Sequence, residues 1–319
     1  MYDVAALGEL LIDFAPYGKS QKGNFLFECN PGGAPANVLA ALSKLGRKTA
    51  FIGKVGNDNF GQFLKNVLNE TDIDTNGLVF SEDIKTTLAF VHLDEQGDRT
   101  FSFYRNPGAD MMLNVNEIDE DIIMNSRIFH FGSVSMTDEP VRSATLKAVN
   151  TAKDNDKIIS FDPNLRPALW KDLVEAKEVI SVGMKYANII KISEEELEFI
   201  TDSKDLVKGT EILMSDYSID IICVTLGSEG CFYRKGNDTG KISGYKVNTI
   251  DTTGAGDGFL GGLLYSILEI NKNLNEISIK ELEEAVRFAN ALGALATTKT
   301  GAIPAMPELR EINRLMNNI

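Results

Sequence analysis

The sequence has 319 residues, 43% of them apolar and 24% charged, with a formal net charge of -14. That composition suits a globular chain with a substantial core. A surface so acidic repels phosphodiester backbones and anionic lipid, which argues against nucleic acid and membranes as partners but not against a nucleotide arriving with its metal. Cys29, Cys223 and Cys231 show no CxxC spacing, and the last two sit in apolar runs, so neither a disulfide framework nor a zinc site is expected. The opening MYDVAALGELLIDF lacks a basic leader, and no apolar run reaches membrane-spanning length, so the expected location is the cytoplasm.

In chain order, a strand is expected over 3–7, then a helix over 35–45, where Val38, Ala41, Leu42 and Leu45 share one face and Gly46 follows as a stop. Further apolar strand-like runs cover 50–55, 128–131, 158–161, 189–192 and 221–225, with amphipathic stretches between them. This alternation predicts an α/β fold with a mostly parallel sheet covered by helices on both faces. One region breaks the pattern. Runs 86–93 and 100–104, joined by Asp94-Glu95-Gln96-Gly97-Asp98-Arg99, read as a hairpin. With the segment around 14–30 they would form a small antiparallel sheet projecting as a lid. The chain 1–319 is read as one unit carrying that insertion, with lid segments at about 14–30 and 86–105.

The most informative stretch is Asp251-Thr-Thr-Gly-Ala-Gly-Asp257, expected to follow a strand over 245–250 and to open an apolar helix. Small residues at Gly254, Ala255 and Gly256 let backbone N–H groups turn inward, and a helix N-terminus adds about half a positive charge. Such a site holds an anion, and better still the charge developing on a phosphoryl group in transfer. Asp257 would repel that anion unless it had another task, such as accepting a proton from the attacking hydroxyl. Local chemistry leaves a second reading open, in which Asp257 is a helix cap. No GxxxxGK[ST] motif occurs, no GxSxG marks a hydrolase elbow, and Gly8-Glu-Leu-Leu-Ile-Asp13 replaces the GxGxxG of dinucleotide binders. His92 and His130 lie in apolar strand-like runs and are read as structural. Of the hairpin aromatics Phe90, Phe101, Phe103 and Tyr104, alternation puts Phe103 on one face with Arg105. Asp162 precedes a proline and is read as a turn starter, outside the site.

DTTGAGD (251–257), together with GGAPAN (32–37) and GKVGNDNFG (53–61), resembles the two signatures of the ribokinase-like (PfkB) sugar kinases. The phrases GELLIDF, FYRNPGADMML, FDPNLRPALW and FANALGALATTKTGAIPAMP are most similar to fructokinases within that family. The resemblance covers nearly the whole chain and implies a three-layer α/β/α ribokinase-like sandwich with a small β lid. It implies ATP-dependent phosphorylation of D-fructose at the 6-hydroxyl, with Asp257 as base and Gly254, Ala255 and Gly256 as anion hole. Asp13, Gly33 and Asn37 would hold sugar hydroxyls, and Phe103, Arg105 and Arg166 would reach the sugar or the phosphates. Thr225, Gly227 and Gly230 match a nucleotide-binding turn, with Asn290 and Gly293 lining the adenine pocket. Asp251 and Thr253 match positions that hold a monovalent cation, usually potassium.

Lys191-Ile-Ser-Glu194 stands where the family often has Asn-x-x-Glu near magnesium and the phosphates. Lys191 would face the phosphates as a point charge. The same segment also reads as a strand end with Ser193 as N-cap. The resemblance further implies a homodimer through the lid. The alternatives are 2-keto-3-deoxygluconate kinase, whose substrate carboxylate needs a cation such as Arg105 or Arg166, then ribokinase. A non-catalytic sugar- or nucleotide-binding regulator represents a different class.

Overall fold

The computed structural model describes residues 1–93 and 99–317, with Leu93, Arg99, Thr100 and Phe101 as backbone only. In chain order the strands are β1 (Tyr2–Leu7), β2 (Leu11–Lys19), β3 (Phe25–Gly32), β4 (Thr49–Gly56), β5 (Ile73–Ser81), β6 (Leu88–Leu93) and β7 (Arg99–Tyr104). They continue with β8 (Ser126–Gly132), β9 (Ile158–Asp162), β10 (Ile189–Ser193), β11 (Ile221–Thr225), β12 (Cys231–Lys235) and β13 (Asp238–Ile242). The helices are α1 (Ala34–Lys44), α2 (Asn59–Glu70), α3 (Glu120–Met124), α4 (Val141–Asp154) and α5 (Leu173–Met184). After them come α6 (Glu194–Thr201), α7 (Leu206–Asp216), α8 (Ala255–Ile270), α9 (Ile279–Ala296) and α10 (Leu309–Asn317).

The main sheet has the order β13-β12-β11-β10-β9-β8-β1-β4-β5. It is parallel from β11 to β5 and antiparallel at β12 and β13. Its strands are buried on both faces, so successive side chains feed two cores. Val4, Ala6 and Ile189 join the core covered by α1, α2, α8, α9 and α10. Ala5, Leu7 and Ile190 join the core covered by α3 to α7. This is why the parallel strands read as unbroken apolar runs, and it makes the expected three-layer sandwich. Among the described residues no helix is long and apolar enough to cross a membrane.

The second sheet, order β3-β2-β6-β7, consists of two antiparallel pairs. The pairs meet through parallel β2 and β6, with Asp13 opposite Ala89. The turn expected at 94–98 lies outside the described residues. The outer face of the second sheet carries aromatic side chains: Phe14 stacks on Phe90 at 4.8 Å, and Phe27 and Tyr104 meet Phe90 edge-on. Phe25 and Tyr104 are 74% and 68% exposed, too open to be core.

The strand expected over 245–250 is absent. After β13, itself the edge strand, the chain adds no further strand and runs to the end of α9 instead. The N–H groups of Ile250 and Asp251 donate to the Thr297 carbonyl at 2.8 and 3.1 Å. That run delivers the chain to the N-terminus of α8, which lies between α1 and α9. Gly261 permits the approach to α1, since a Cβ there would fall 2.6 Å from that of Ala41.

Candidate active site

Parallel strands place their carboxyl ends, and the residues just beyond, along one edge of the sheet. Over that edge lies a cleft of about 970 Å³, large enough for a nucleotide and a small sugar together. Glu9 after β1, Asp162 closing β9, Lys191 on β10 and Thr225 closing β11 all sit on this edge, and α1 and α8 point their N-termini at it.

At α8 the backbone prepares an anion site. Gly254 is the N-cap with φ 76°, a left-handed conformation that suits glycine, and no side chain caps the helix. Gly254 and Gly256 line the cleft on either side of Ala255. Lys191 Nζ lies so close that a Cβ on Gly256 would fall 2.9 Å from it. The ammonium is held at 2.9 Å by Asp162 Oδ2, both side chains being nearly buried. Burial opposes the Lys191 charge, but Asp162, Glu196 and Asp257 outweigh it and hold its pKa above the ordinary value.

Asp257 is the third residue of α8, and the cap position belongs to Gly254. Its Oδ2 accepts from Asn37 Nδ2 at 2.8 Å, a bond between two buried side chains on facing helices. Burial, joined by the Asp162 charge, lifts its pKa to about 6 against the pull of Lys191, the Asn37 hydrogen bond and Arg166. A carboxylate so tuned is charged at neutral pH and still basic enough to accept a proton.

Beside it, Gly33 has φ 127°, and a Cβ there would fall 2.2 Å from the Glu9 carbonyl oxygen, so the turn into α1 requires glycine. Asn37 Oδ1 is buried without a hydrogen-bond partner among the described residues. Asp13 lines the same end of the cleft. Burial raises its pKa to about 6, with Arg166 opposing and Asp251 and Asp257 adding to the rise. Phe103 and Arg166 also line the cleft.

At the other end, Thr225 and Gly227 line the cleft together with Glu194. Ser193 caps α6 reciprocally with Glu196, so the strand-end reading of that segment is realised while Lys191 still faces the cleft. On the far side of Asp13, a cavity of about 160 Å³ is lined by Asp251, Thr253 and Gly301. Asp251 accepts there from the N–H groups of Thr253 at 2.8 Å and Gly301 at 3.0 Å.

Four expected site residues lie behind the cleft wall. Arg105 is buried and turns inward, its Nε donating to Asp110 Oδ2 at 2.7 Å and its other nitrogens to Thr137 and Val134. It therefore does not share the cleft face with Phe103. Asn290 spends its amide on the Ile242 and Ser243 carbonyls at 3.1 and 3.2 Å. Gly293 lets α9 approach the Ala255 carbonyl, and Gly230 lets its turn pack on Ile242.

Conversely, Asp162 belongs to the site although its sequence reads as a turn. Glu9 and Glu196 were also missed, and both line the cleft. Burial lifts Glu9 to about 7, against the hydrogen bond from the Ala34 N–H. The available signal was position: each follows or closes a parallel strand, where ligands of such sheets bind. His130 is buried on Ser160, burial lowering its pKa to about 4, and it takes no part. His92 lies on the second sheet beside Ser102, at 3.1 Å.

A model of the pfkB family carbohydrate kinases matches residues 1–309. The probable fructokinase-2 of Arabidopsis thaliana is 44% identical over 307 residues, covering 95% of this chain and 92% of that protein. A fructokinase from Xylella fastidiosa, solved with bound ATP, superposes with a TM-score of 0.91 at 32% identity, over 100% of this chain and 99% of that one. A fructokinase double mutant from Vibrio cholerae O395, solved with fructose, ADP and potassium ion, superposes with a TM-score of 0.88 at 34% identity, over 99% and 98% of the two chains. This chain belongs to the pfkB family of carbohydrate kinases and is a phosphotransferase with an alcohol group as acceptor.

Proposed function

We propose that this enzyme transfers the γ-phosphoryl group of ATP to the 6-hydroxyl of D-fructose, giving fructose 6-phosphate, with Asp257 as the base. The observation that carries this reading is the placement of Asp257: buried, oriented by Asn37, and in the first turn of the uncapped helix α8, as its third residue, beside Lys191. Asp257 takes the hydroxyl proton as the sugar oxygen attacks phosphorus and the bond to the leaving ADP oxygen breaks. The helix N-terminus at Gly254 and Gly256, with Lys191, stabilises the charge gathering on the transferred group, the Ala255 N–H being donated to the Thr252 carbonyl at 3.2 Å. A regulator that only bound sugar or nucleotide would gain nothing from a carboxylate beside an anion site.

The sugar end supports a neutral polyol. Asp13 and Asn37 Oδ1 accept from hydroxyls, and Gly33 permits close approach. Arg105 is committed to Asp110, so of the two arginines a keto-acid carboxylate could use only Arg166, which lines the cleft and acts on Asp13, is left to meet it. ATP would lie along Thr225 and Gly227, with Gly230, Asn290 and Gly293 shaping the wall behind.

Among the described residues no cluster of three or more His, Cys, Asp or Glu side chains could hold a metal. Magnesium suits such a site, since it keeps several waters and binds mainly through substrate phosphates and one or two carboxylates, here Glu194. It would neutralise phosphate charge. The oxygen donors Asp251 and Thr253 fit a potassium ion, which would firm the loop leading into α8. We also place the enzyme in the cytoplasm as a homodimer pairing through the exposed aromatic face of the second sheet, the whole chain 1–319 forming one kinase domain. Segments 14–30 and 86–105 form the flap that closes over the sugar and excludes water.

A coupled kinase assay with fructose, 2-keto-3-deoxygluconate and ribose tests the substrate. The expected kcat/KM is at least ~10-fold higher for fructose than for the keto acid, about 1.4 kcal/mol of discrimination. A better keto acid would replace the fructose reading with the keto-acid one.

A further inference from the structure

The β6–β7 half of the flap is joined to the body by two short stretches, one entering β6 and one leaving β7. Thr87 immediately precedes β6, and Arg105 immediately follows β7. Both end on the same carboxylate. Asp110 Oδ1 accepts from the Thr87 hydroxyl, and Asp110 Oδ2 accepts from Arg105 Nε at 2.7 Å. All three side chains are buried. Arg105 then carries the tie into the body: Nη1 donates to Thr137 Oγ1 at 3.0 Å and Nη2 to the Val134 carbonyl at 3.1 Å, Val134 being part of the cleft wall. The Thr87 carbonyl accepts from the Ile12 N–H at 3.1 Å, which brings in β2, the strand that carries Asp13. The packing leaves no slack, for a Cβ on Gly108 would fall 1.7 Å from Thr87 Oγ1 and 2.8 Å from Asp110 Oδ1.

We infer that Asp110 is a positioning residue for phosphoryl transfer: one buried carboxylate pins both feet of the flap hairpin and fixes how its inner face, with Phe103, meets the acceptor sugar. This rests on the reading of the second sheet as a closing flap. Asp110 does not line the cleft and touches no reacting atom. Its effect passes through geometry: an inner face held out of place binds the sugar less well in ground state and transition state alike, which raises KM and spares kcat. The two ties differ in kind. The Arg105 link is a buried ion pair, whose loss leaves an uncompensated charge. The Thr87 link is one hydroxyl and can be removed at nearly constant volume.

That difference sets the experiment. Thr87→Val deletes the hydroxyl, Thr87→Ser keeps it, and Asp110→Asn keeps an acceptor while removing the charge. Thr151→Val is the control, removing a similar buried hydroxyl bonded at 2.7 Å to Glu120, on α4 and outside the cleft. Thr87→Val and Asp110→Asn are expected to raise KM for fructose about tenfold with kcat within about threefold of wild type. Thr87→Ser should restore the wild-type KM, and Thr151→Val should lower Tm without moving KM. Amide hydrogen exchange of 88–93, with and without fructose, separates the two layers of the argument. Slowing in wild type that is lost in Thr87→Val supports the pin. Slowing in both, with KM for Thr87→Val within about twofold of the control, overturns the pin and leaves the flap. No slowing in wild type overturns the flap, and the pin with it. Should Asp110→Asn fail to fold, the threonine pair decides alone.

Discussion

The N-terminus of α8 and the second sheet face the same cleft and are built in opposite ways. The first is wholly internal: Asp257, Asn37, Lys191 and Asp162 are buried, and helices on both sides hold the backbone. The second is a thin sheet with one face on the cleft and the other on solvent, its aromatics stacked on one another at the surface. Groups that must meet developing charge gain from burial and fixed geometry, because a low-dielectric, pre-oriented site costs little reorganisation during reaction. A cover that must admit substrate cannot be buried. On the proposed reading, chemistry sits on the body and access sits on the flap. Substitutions in the first region should strike kcat, and those in the second should strike KM or assembly.

The largest expected effect is on the base. Asp257→Asn should lower kcat by at least ~100-fold while ATP and fructose bind as before, measured by steady-state kinetics and calorimetry. Turnover within about threefold of wild type would leave Asp257 without a chemical role. Next comes Gly256→Ala, whose Cβ must displace Lys191 Nζ from 2.9 Å and crowd the anion site. A fall in kcat of roughly tenfold or more is expected, the scale of losing part of an oxyanion-type site. An unchanged kcat would show that phosphate is not held there.

On the flap, Phe25→Asp with Phe27→Asp should convert a dimer to a 35.0 kDa monomer in sedimentation while kcat changes less than about threefold. A wild-type monomer, or a dimer indifferent to these charges, would remove the pairing from this face.

The smallest effect concerns stability. Folding raises Glu9 from 4.5 to about 7 by burial, so the folded chain holds this proton more tightly than the unfolded one. Its contribution is complete below about pH 4.5 and is lost as pH rises through about 7, on the order of 3 kcal/mol in all. Glu9→Gln keeps an acceptor for the Ala34 N–H and cannot ionise. Thermal unfolding between about pH 5 and about pH 8 should therefore destabilise wild type more than Glu9→Gln, and parallel curves would exclude Glu9 as the source.

The two regions also differ in how well their sequence announces them. In the body, glycines and an acid at fixed spacing mark the proposed anion site, and Gly254 and Gly33 do occupy conformations that side chains resist. Continuous apolar runs identify the central strands because those strands are buried on both faces. The Lys191–Asp162 pair escapes a linear reading, since it forms between neighbouring strands 29 residues apart. Asp162 therefore looks like a turn. Arg105 is misjudged for a related reason. Strand alternation puts it beside Phe103, but Asp110, five residues on, captures it once the chain leaves the sheet. The segment 245–250 has strand-like residues and no strand beside it, and pairing is decided by the neighbour.

The claim on which the account turns is that Asp257 takes the proton from the sugar. The most direct test is the pH dependence of kcat/KM for fructose, in wild type and in Asp257→Asn. Asp257 must be ionised to act, and burial with the Asp162 charge lifts it to about 6 in the ligand-free protein, so wild-type kcat/KM should fall with one-proton dependence as pH drops through that region. The residual rate of Asp257→Asn should lie at least ~100-fold lower and run flat across the same range. An Asp257→Asn enzyme that keeps both the acid limb and most of its turnover would contradict the account, because the proton would then go elsewhere.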